Sequence, residues 1–409
     1  MAASGSARRL RASSVSEENS VAVAAAAAAV ALAAVAVAAA AARPPPEGAI
    51  DLALSQDQAD ILELVGALCA RECPSSLVRA SEALGFAPAL WRSCAAIGLP
   101  GMAVAAERGG GGAGFLAAAL AAEALGRALA PLPFAEHLAA LRLLARELPP
   151  GAPELAPLLS GDAIAALALR PAEAGIAKLV PGGAVARALV ALDGEELVWL
   201  DAEPPGRALP NLAAGPLADR SLAAGGGAAG RRVVLARGRE AGLAYERARA
   251  EWRALAASAL VGLAQGAFDL GLAYVAQREQ FGVAIGSFQA IQHALADLAV
   301  ALEGARLLAR KAAWATEACD GERADAEPGA PREAARLASM AFLFASELAA
   351  KCAYQCLHYH GGYGVSQEYD IQLYYRRALG WALVLGEPGR ELQALADTLY
   401  GEPGSAGAR

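Results

Sequence analysis

From residue 241 to the C-terminus, the sequence is dominated by long segments whose apolar residues recur at helical spacing. The stretch 252–276, for example, has no proline and places Leu260, Leu263 and Phe268 on one helix face, as a 3.6-residue period requires. Segments of this kind cover 244–277, 287–319, 332–358, 367–384 and 389–399. Long helices joined by short connections pack side by side in alternating directions. The sequence therefore predicts a C-terminal antiparallel four-helix bundle.

Residues 151–240 have a different pattern, with short apolar runs separated by glycine, proline and aspartate. The runs are 163–169, 185–192, 196–201 and 232–235. Apolar runs of this length between turn-forming residues are typical of β-strands. We therefore expect a small middle β domain here, either a barrel or a sandwich.

Upstream of that domain the sequence is again helical in pattern. Ser55 precedes a segment with apolar residues at helical spacing, and Gln58 stands three residues after Ser55. This is the capping-box pattern of a helix N-terminus. Further helices are expected near 58–72, 86–97 and 114–128. The three regions together predict a mainly helical α+β chain. Its expected domains are a low-complexity alanine-rich extension (1–48), an N-terminal helical domain (49–150), the middle β domain (151–240) and the bundle (241–409).

Charge and cysteine content argue against some classes of function. The net charge is −7, and no basic run appears beyond Arg8, Arg9 and Arg11, so we expect no nucleic-acid partner. The six cysteines form no Cys-x-x-Cys motif. We expect them to be small buried apolar residues rather than disulfide partners or metal ligands. A reducing, cytoplasmic location fits this composition.

The segment 21–42 is long enough to span a bilayer and follows an arginine cluster. It consists of alanine with five valines and one leucine. At about −0.3 to −0.6 kcal/mol for each of those apolar residues, its insertion into a membrane is marginal. The charge bias would also place the C-terminal region outside the cell, away from soluble nucleotide cofactors. We therefore favour a low-complexity extension or an upstream start codon over an anchor or a signal, and we expect no membrane partner.

Polar side chains cluster at the connection between the first two long segments of the bundle. Arg278, Gln280 and Gln289 surround Phe281, and Ser287 stands where the N-cap of the next helix is expected. A cation, two amides and an aromatic ring suit a ligand that has both a phosphate and a flat ring. The same residue types also occur in helix-connecting turns that bind nothing. The pattern alone leaves both interpretations open.

Several motifs in this region occur together in a known order. They are Arg-x-Gln-Phe-Gly at 278–282, Ile-Gly-Ser-Phe-Gln at 285–289, Gln-His-x-Leu-Ala-Asp at 292–297 and, after an all-helical interval, His-Tyr-His-Gly-Gly-Tyr-Gly-Val-Ser-Gln-Glu-Tyr-Asp at 358–370. This ordered set resembles the acyl-CoA dehydrogenase family. In the N-terminal region, Gly-Leu-x-Gly at 98–101 is similar to a segment of the same family.

The resemblance implies FAD as the cofactor and an acyl-CoA thioester as the substrate. In that family the α-hydrogen of the acyl group leaves as a proton and the β-hydrogen passes as hydride to the flavin, which supplies the redox chemistry. It also implies a homo- or heterotetramer, with an electron-transferring flavoprotein or a similar acceptor as partner. We expect no metal site, because His358 and His360 flank a turn rather than one helix face and no carboxylate cluster accompanies them. By this resemblance FAD is contacted, across a subunit boundary, by Arg278, Gln280, Phe281, Gln289, His358, Gly361 and Gly362.

One loop of the β domain departs from the family pattern. Catalytic members carry a loop similar to Thr-Glu-Pro-x-x-Gly-Ser-Asp, whose polar groups contact flavin and substrate. This chain has Leu-Arg-Pro-Ala-Glu-Ala-Gly at 169–175 instead. The resemblance therefore does not extend to that wall of the flavin site.

The catalytic base is the second departure. The reaction needs a carboxylate beside the α-carbon, and the usual family position for it falls on Leu385, with Glu387 two residues later. The position that a minority of members use falls on Trp252, with Glu251 one residue before it. Glu387 and Glu251 are therefore the candidate bases, and each is displaced from the family position.

Three functions are compatible with this sequence. In the first, the chain is an acyl-CoA dehydrogenase whose base is Glu387 or Glu251. In the second, it is the base-lacking subunit of a heteromeric dehydrogenase, because its ending at 385–387 is similar to that of base-less subunits of bacterial enzymes acting on steroid side chains. In the third, it is a non-catalytic helical-bundle protein that keeps the fold, with or without the flavin.

Overall fold

The computed structural model describes residues 53–223, 230–320 and 329–401. The expected extension at 1–48, including the segment 21–42, lies outside the described residues. The first described region is helical, and its helices are α1 (Gln56–Glu72), α2 (Ser75–Ala80), α3 (Pro88–Ala96), α4 (Phe115–Arg127), α5 (Phe134–Glu147) and α6 (Ala156–Ser160).

Helix α1 begins as its sequence predicts. The Ser55 Oγ accepts a hydrogen bond from the Gln58 backbone N–H at 3.3 Å, and the Gln58 side chain accepts one from the Ser55 N–H at 3.0 Å. This capping box satisfies two of the backbone donors that the start of a helix leaves unpaired.

The middle region folds into two small sheets. The first contains β1 (Ala165–Leu167), β3 (Ala188–Asp193), β4 (Glu196–Asp201) and β6 (Arg231–Arg237), in that order, and the second pairs β2 (Ile176–Val180) with β5 (Ala218–Ser221). The pair β1–β3 is parallel and the other pairs are antiparallel. The strands of the first sheet were predicted. Strands β2 and β5 were not. Strand β2 exposes Ile176, Lys178 and Leu179, and β5 is only four residues long with alternate residues exposed, so neither has a clear apolar run.

The C-terminal region is a bundle of long helices. They are α7 (Gly238–Gln277), α8 (Gln289–Ala318), α9 (Ala330–Tyr359), α10 (Ile371–Ala382) and α11 (Pro388–Tyr400). Helix α7 packs against α4, α5, α8, α9 and α10, so it links the bundle to the N-terminal helices. It begins six residues before the predicted start at 244, because its first turns carry no apolar stripe. The architecture is mainly helical α+β, as predicted; whether the expected boundaries delimit separate domains stays a prediction.

The crossing of α4 and α7 is close because glycine lies on both helices. A Cβ atom added to Gly262 would lie 1.8 Å from the Glu123 carbonyl oxygen, and one added to Gly126 would lie 2.0 Å from the Ala259 carbonyl oxygen. Any larger residue would push the helices apart. This contact holds the N-terminal helices directly on the bundle.

Helices α7 and α9 are long and apolar enough to cross a membrane by length and composition alone. The apolar windows that pass this test are 72% and 56% buried inside the fold. Core helices of folded bundles have the same composition. The six cysteines are free thiols, and all but Cys319 are buried.

Candidate active site

A tight hairpin joins α7 to α8 and exposes Phe281. Strands β7 (Glu279–Gln280) and β8 (Val283–Ala284) pair antiparallel, and φ is +56° at Phe281 and +82° at Gly282. Bulky residues rarely adopt this left-handed conformation. Phe281 is 94% exposed, and its ring meets the Phe288 ring edge-on, with centroids 6.2 Å apart. The backbone is therefore strained in a way that presents an aromatic ring to solvent. We call residues 278–289 the interhelical turn.

The start of α8 differs from the sequence prediction. Its N-cap is Phe288, and a 3₁₀ turn at Ile285–Ser287 precedes it. The Ser287 hydroxyl donates a hydrogen bond to the Ala284 carbonyl at 2.7 Å. The prediction that Ser287 caps α8 is therefore wrong, because this hydroxyl closes the preceding turn instead.

The polar residues expected beside Phe281 are all exposed in the interhelical turn. Arg278, Gln280 and Gln289 lie on its surface, and the Gln280 amide donates to the Glu279 carbonyl at 2.7 Å. Within the described ranges, no carboxylate pairs with the Arg278 guanidinium. The turn therefore offers a cation, two amides and a ring that the fold itself does not bury.

Gly361 and Gly362 lie at the same end of the bundle. The His360 ring just before them stacks on Tyr274 in the last turn of α7, with ring centroids 4.0 Å apart. A Cβ atom added to either glycine would meet no atom within 4 Å. The described chain thus leaves open space beside both glycines, and His358 is exposed one turn earlier.

A second candidate site is a cavity of about 290 Å³ where the N-terminal helices, the β region and the bundle meet. We call it the junction cavity. Its walls are mainly apolar, and its polar side chains are Glu136, Arg170, Asn211 and Arg377. The Asn211 amide is fully bonded to the backbone of residues 209 and 215. Arg377 is buried and pairs with Glu82 at 3.4 Å. The Asn211 amide is therefore satisfied by the protein, and the Glu82 carboxylate partly compensates the charge of Arg377.

Glu136 is a cavity carboxylate that sequence reasoning missed. It lies in the first turn of α5, and it accepts a hydrogen bond from the Trp252 Nε1 at 3.1 Å. Burial raises the pKa of Glu136, against the opposing hydrogen bonds from its own N–H and from Trp252. In the sequence it looks like an ordinary acidic residue that favours a helix N-terminus. Its role as a cavity group depends on tertiary contacts that no local pattern contains.

Arg170 enters the cavity from the loop that departs from the family pattern. Its Nη2 donates to the Val384 carbonyl at 3.2 Å, and a Cβ atom on Gly386 would lie 3.4 Å from the same nitrogen. Glu173 of this loop pairs instead with Lys178 at 2.8 Å on the surface. The loop therefore supplies a cation to the cavity, and neither a hydroxyl nor a carboxylate.

The structure does not bring the two predicted bases to the junction cavity. Leu385, at the usual family position, is only 8% exposed. Glu387 is the exposed N-cap residue of α11. Neither Glu387 nor Glu251 is among the cavity-lining residues of the described chain.

Glu251 belongs to a buried group that we call the arginine cluster. Its carboxylate lies 3.1 Å from Arg142, 2.8 Å from Arg146 and 3.4 Å from Arg247. Arg142 and Arg247 also pair with Asp320, at 2.6 and 2.7 Å. Burial disfavours the charged form of Glu251, but the three arginines outweigh it and lower its pKa to about 2. A carboxylate with so low a pKa is a poor base at neutral pH.

Comparisons with known proteins agree with this architecture. Residues 55–146 match the model of the acyl-CoA dehydrogenase N-terminal domain, and residues 242–399 match that of the acyl-CoA dehydrogenase C-terminal domain. The chain is 32% identical over 354 residues to acyl-CoA dehydrogenase IpdE2 of Mycolicibacterium smegmatis, covering 85% of this chain and 100% of that protein. The chain belongs to the acyl-CoA dehydrogenase family.

Solved structures of this family superpose over most of the chain. A chain of the ChsE4–ChsE5 complex from Mycobacterium tuberculosis is 25% identical, with a TM-score of 0.73, covering 87% of this chain and all of that one. Butyryl-CoA dehydrogenase from Megasphaera elsdenii is 18% identical, with a TM-score of 0.72, covering 86% of this chain and all of that one. At this identity the likeness supports the fold and nothing more specific.

Membership of the acyl-CoA dehydrogenase family confirms the predicted activity and cofactor. The protein is a flavoprotein oxidoreductase that acts on the CH–CH bond of an acyl-CoA, with FAD as its cofactor. The exposed ring, cation and amides of the interhelical turn, and the open space beside Gly361 and Gly362, fit a dinucleotide. The loop at 169–175 does not fit the family pattern on the flavin-ring side. It places the Arg170 guanidinium there and lacks the hydroxyl and carboxylate groups of the usual family loop.

Proposed function

We propose that this chain is the base-lacking subunit of a heteromeric FAD-dependent acyl-CoA dehydrogenase, and that a homologous subunit supplies the carboxylate base. One observation carries this proposal. The interhelical turn keeps the residues expected to contact FAD in the open, whereas the expected base position is a buried leucine, Leu385. A chain with an intact cofactor turn and no carboxylate at the base position suits one half of a shared active site.

In this proposal the interhelical turn binds the nucleotide part of FAD across the subunit boundary. The Arg278 guanidinium would hold the pyrophosphate, because its planar donors suit phosphate oxygens. The exposed Phe281 ring would offer an apolar face to the flat base, and the Gln280 and Gln289 amides would add hydrogen bonds. Gly361, Gly362 and His358 of the neighbouring subunit approach from the other side. When bound, FAD supplies the acceptor for the β-hydrogen of the substrate.

The surroundings of Glu251 and Glu387, the two glutamates near family base positions, favour a base that comes from the partner subunit. Glu251 is held by three arginines, and Glu387 is a solvent-exposed helix cap. Making either residue the base would require it to leave its present environment. The likeness to one chain of the two-protein ChsE4–ChsE5 complex also favours a heteromer. The electron acceptor of this proposal is an electron-transferring flavoprotein or a similar protein, and its location is the cytoplasm, where soluble acyl-CoA and FAD are found.

Co-expression tests the proposal. The chain is purified alone and together with a homologous chain from the same organism, and each preparation is scanned for flavin absorbance and assayed with a panel of acyl-CoA thioesters and an artificial electron acceptor. We expect turnover and full flavin content only in the complex. Comparable turnover by the chain alone would contradict the proposal and place the base within this chain. Colourless and inert protein in both preparations would favour a non-catalytic bundle protein.

A further inference from the structure

A second cavity, of about 550 Å³, lies against the arginine cluster. Its walls come from the loop between α3 and α4, the C-terminal part of α5, the first turns of α7 and the end of α8. Within the described chain it shares no lining residue with the junction cavity. We call it the guanidinium cavity, because four arginines line it: Arg108, Arg142, Arg146 and Arg247.

The charges of the arginine cluster do not cancel. Its three guanidinium groups share two carboxylates, those of Glu251 and Asp320, which leaves one positive charge in excess. Arg142 and Arg247 each pair with both carboxylates. In the described ranges Arg146 pairs with Glu251 alone. The excess positive charge is therefore greatest at Arg146, which lines the cavity.

The electrostatics of the two arginines on α5 agree with this count. Burial lowers the pKa of Arg146, and repulsion by Arg247 and Arg142 adds to the effect, so that Glu251 does not restore it. Burial also disfavours the charge of Arg142, but Glu251 and Asp320 outweigh it and raise the pKa of Arg142. An added anion would therefore stabilise the charged form of Arg146 most.

The other charged residues of the lining do not supply the missing negative charge. Glu317 accepts a hydrogen bond from the Leu116 N–H at 2.8 Å and so compensates the N-terminus of α4. Glu107 is exposed, where water screens its charge. Arg108 adds a fourth cation, and its hydrogen bond within the described chain goes to the Leu148 carbonyl at 3.0 Å. The cavity thus presents an excess of about two positive charges, one from the cluster and one from Arg108.

The glycine-rich part of the wall does not bind anions through its backbone. The N–H groups of Gly110, Gly111 and Gly112 donate to carbonyls within residues 101–105. Recognition therefore depends on the guanidinium groups, whose planar donors suit phosphate oxygens. A phosphate monoester carries a charge of about −1.5 to −2 at pH 7 and three acceptor oxygens, which matches two arginines better than one carboxylate does.

The size and the remaining walls restrict the rest of the ligand. A volume of about 550 Å³ lies within the range of small-molecule sites, about 300–1,000 Å³, and it leaves room beside a phosphate group. The uncharged lining consists mainly of small apolar side chains and glycine, at Ala103, Val104, Ala105, Gly112, Gly114 and Ala145. These walls suit a flat or compact organic group.

We infer that the guanidinium cavity binds a phosphate monoester of a small molecule, with the phosphate on Arg108 and Arg146 and the organic group against the small apolar walls. This site is separate from the FAD-binding role proposed for the interhelical turn. It needs no redox step and makes no use of the junction cavity.

The probes are phenyl phosphate, inorganic phosphate and benzoate. Binding is measured by calorimetry on the FAD-loaded complex of the full chain with its homologue. We expect phenyl phosphate to bind about 10-fold or more tightly than inorganic phosphate, because its ring buries apolar surface, and benzoate to bind more weakly than phenyl phosphate. Equal affinity for phenyl phosphate and inorganic phosphate overturns the assignment to an ester. Absence of phenyl phosphate binding overturns the site.

Substitutions in this chain alone locate the binding. Arg108→Met and Arg146→Met should each weaken phenyl phosphate about 10- to 100-fold, the range for a hydrogen bond to a charged group. Arg146→Lys keeps the charge without the planar donors and should lose less. The matched control is Arg71→Met on α1, whose exposed guanidinium pairs with Glu72 at 2.7 Å, and it should change nothing. Arg278→Ala should also leave the affinity for phenyl phosphate unchanged.

Two results would decide against the inference. If Arg108→Met and Arg146→Met bind phenyl phosphate as the wild type does, the cavity is not the site. If Arg278→Ala abolishes binding, the probe occupies the FAD site. Should Arg146→Met fail to fold, Arg108→Met still tests the inference, because Arg108 lies outside the ion pairs of the cluster. Flavin content and acyl-CoA turnover of the same preparations report separately on the proposed function.

Discussion

Helix α7 places two consecutive residues in opposite surroundings. Glu251 enters the arginine cluster, where three guanidinium groups face one carboxylate. Trp252, about 100° further round the helix, enters the junction cavity, where its indole N–H is the side-chain hydrogen-bond donor to Glu136. Helix α7 thus contributes to the surroundings of two carboxylates. Glu251 is neutralised by arginine partners, whereas Glu136 accepts a hydrogen bond from the neutral Trp252 indole.

The difference shows how buried acids of one protein can be assigned to structure or to function. The arginine cluster joins α5, α7 and the end of α8, so its carboxylates have partners on every side and fix the packing of these elements. The junction cavity surrounds Glu136 with mainly apolar walls and gives it no ionic partner within the described chain. Glu251 is conspicuous in the sequence because it is next to a family base position, but its surroundings are structural. Glu136 is inconspicuous in the sequence, and it lines a cavity.

The largest effect should come from breaking the arginine cluster. Glu251→Ala leaves Arg142 buried without its main partner, and loss of one partner of a buried ion pair costs about 3–5 kcal/mol. We expect a large fall in melting temperature and in the denaturant midpoint, measured by circular dichroism. The control is Glu246→Ala, whose exposed carboxylate pairs with Arg249 at 2.7 Å on the same helix. It should cost less than about 1 kcal/mol. Equal losses of stability in Glu251→Ala and Glu246→Ala would show that the buried arginine cluster contributes no more than an exposed ion pair.

A smaller loss is expected at Glu136. Glu136→Leu leaves the Trp252 N–H without its acceptor, which costs about 1–3 kcal/mol, and the added apolar surface offsets part of it. The same melting experiments should therefore show a fall well below that of Glu251→Ala. A fall as large as that one would mean that Glu136 is a structural residue like Glu251.

The most specific effect is the dependence of stability on pH. The pKa of Glu251 is lowered from 4.5 to about 2 in the folded state. Its contribution is therefore complete above about pH 4.5 and is lost as the pH falls toward 2. The pKa of Glu136 is raised, so its contribution is complete below the ordinary value and is lost as the pH rises through the folded pKa.

Two charge-removing variants test these opposite signs. Melting temperatures are compared with those of the wild type from about pH 2 to about pH 8. In a plot of melting temperature against pH, Glu251→Gln should flatten the acid side. Glu136→Gln should flatten the part above the ordinary pKa of glutamate. Curves parallel to the wild type in both variants would show that neither carboxylate has the assigned environment.

Local sequence patterns predicted most of the fold, because they record which face of each element is buried. The capping box at Ser55, the long apolar stripes of the bundle and the strands of the larger sheet all follow from spacing. Strand β2 and the first turns of α7 were missed for the same physical reason. They expose most of their side chains, and nothing in their pattern distinguishes them from loops.

The candidate site was less predictable. The interhelical turn was identified because its residues are adjacent in sequence, although the strained φ of Phe281 and its nearly complete exposure appear only in the structure. The junction cavity joins Glu136, Arg170 and Trp252, which are far apart in the chain. No single segment contains that arrangement, so sequence reasoning selected Glu251 and Glu387 from their proximity to family positions. Their role as bases stays a prediction that this geometry does not favour.

The central claim is that the interhelical turn binds FAD across a subunit boundary, and one titration tests it most directly. FAD binding is followed by fluorescence on the flavin-free complex of this chain with its homologue, with and without Arg278→Ala in this chain alone. We predict that the variant binds FAD about 10- to 100-fold more weakly, as expected for loss of a charge-assisted pair, while its helical circular dichroism is unchanged. Unchanged FAD affinity in a complex that carries Arg278→Ala would contradict the account.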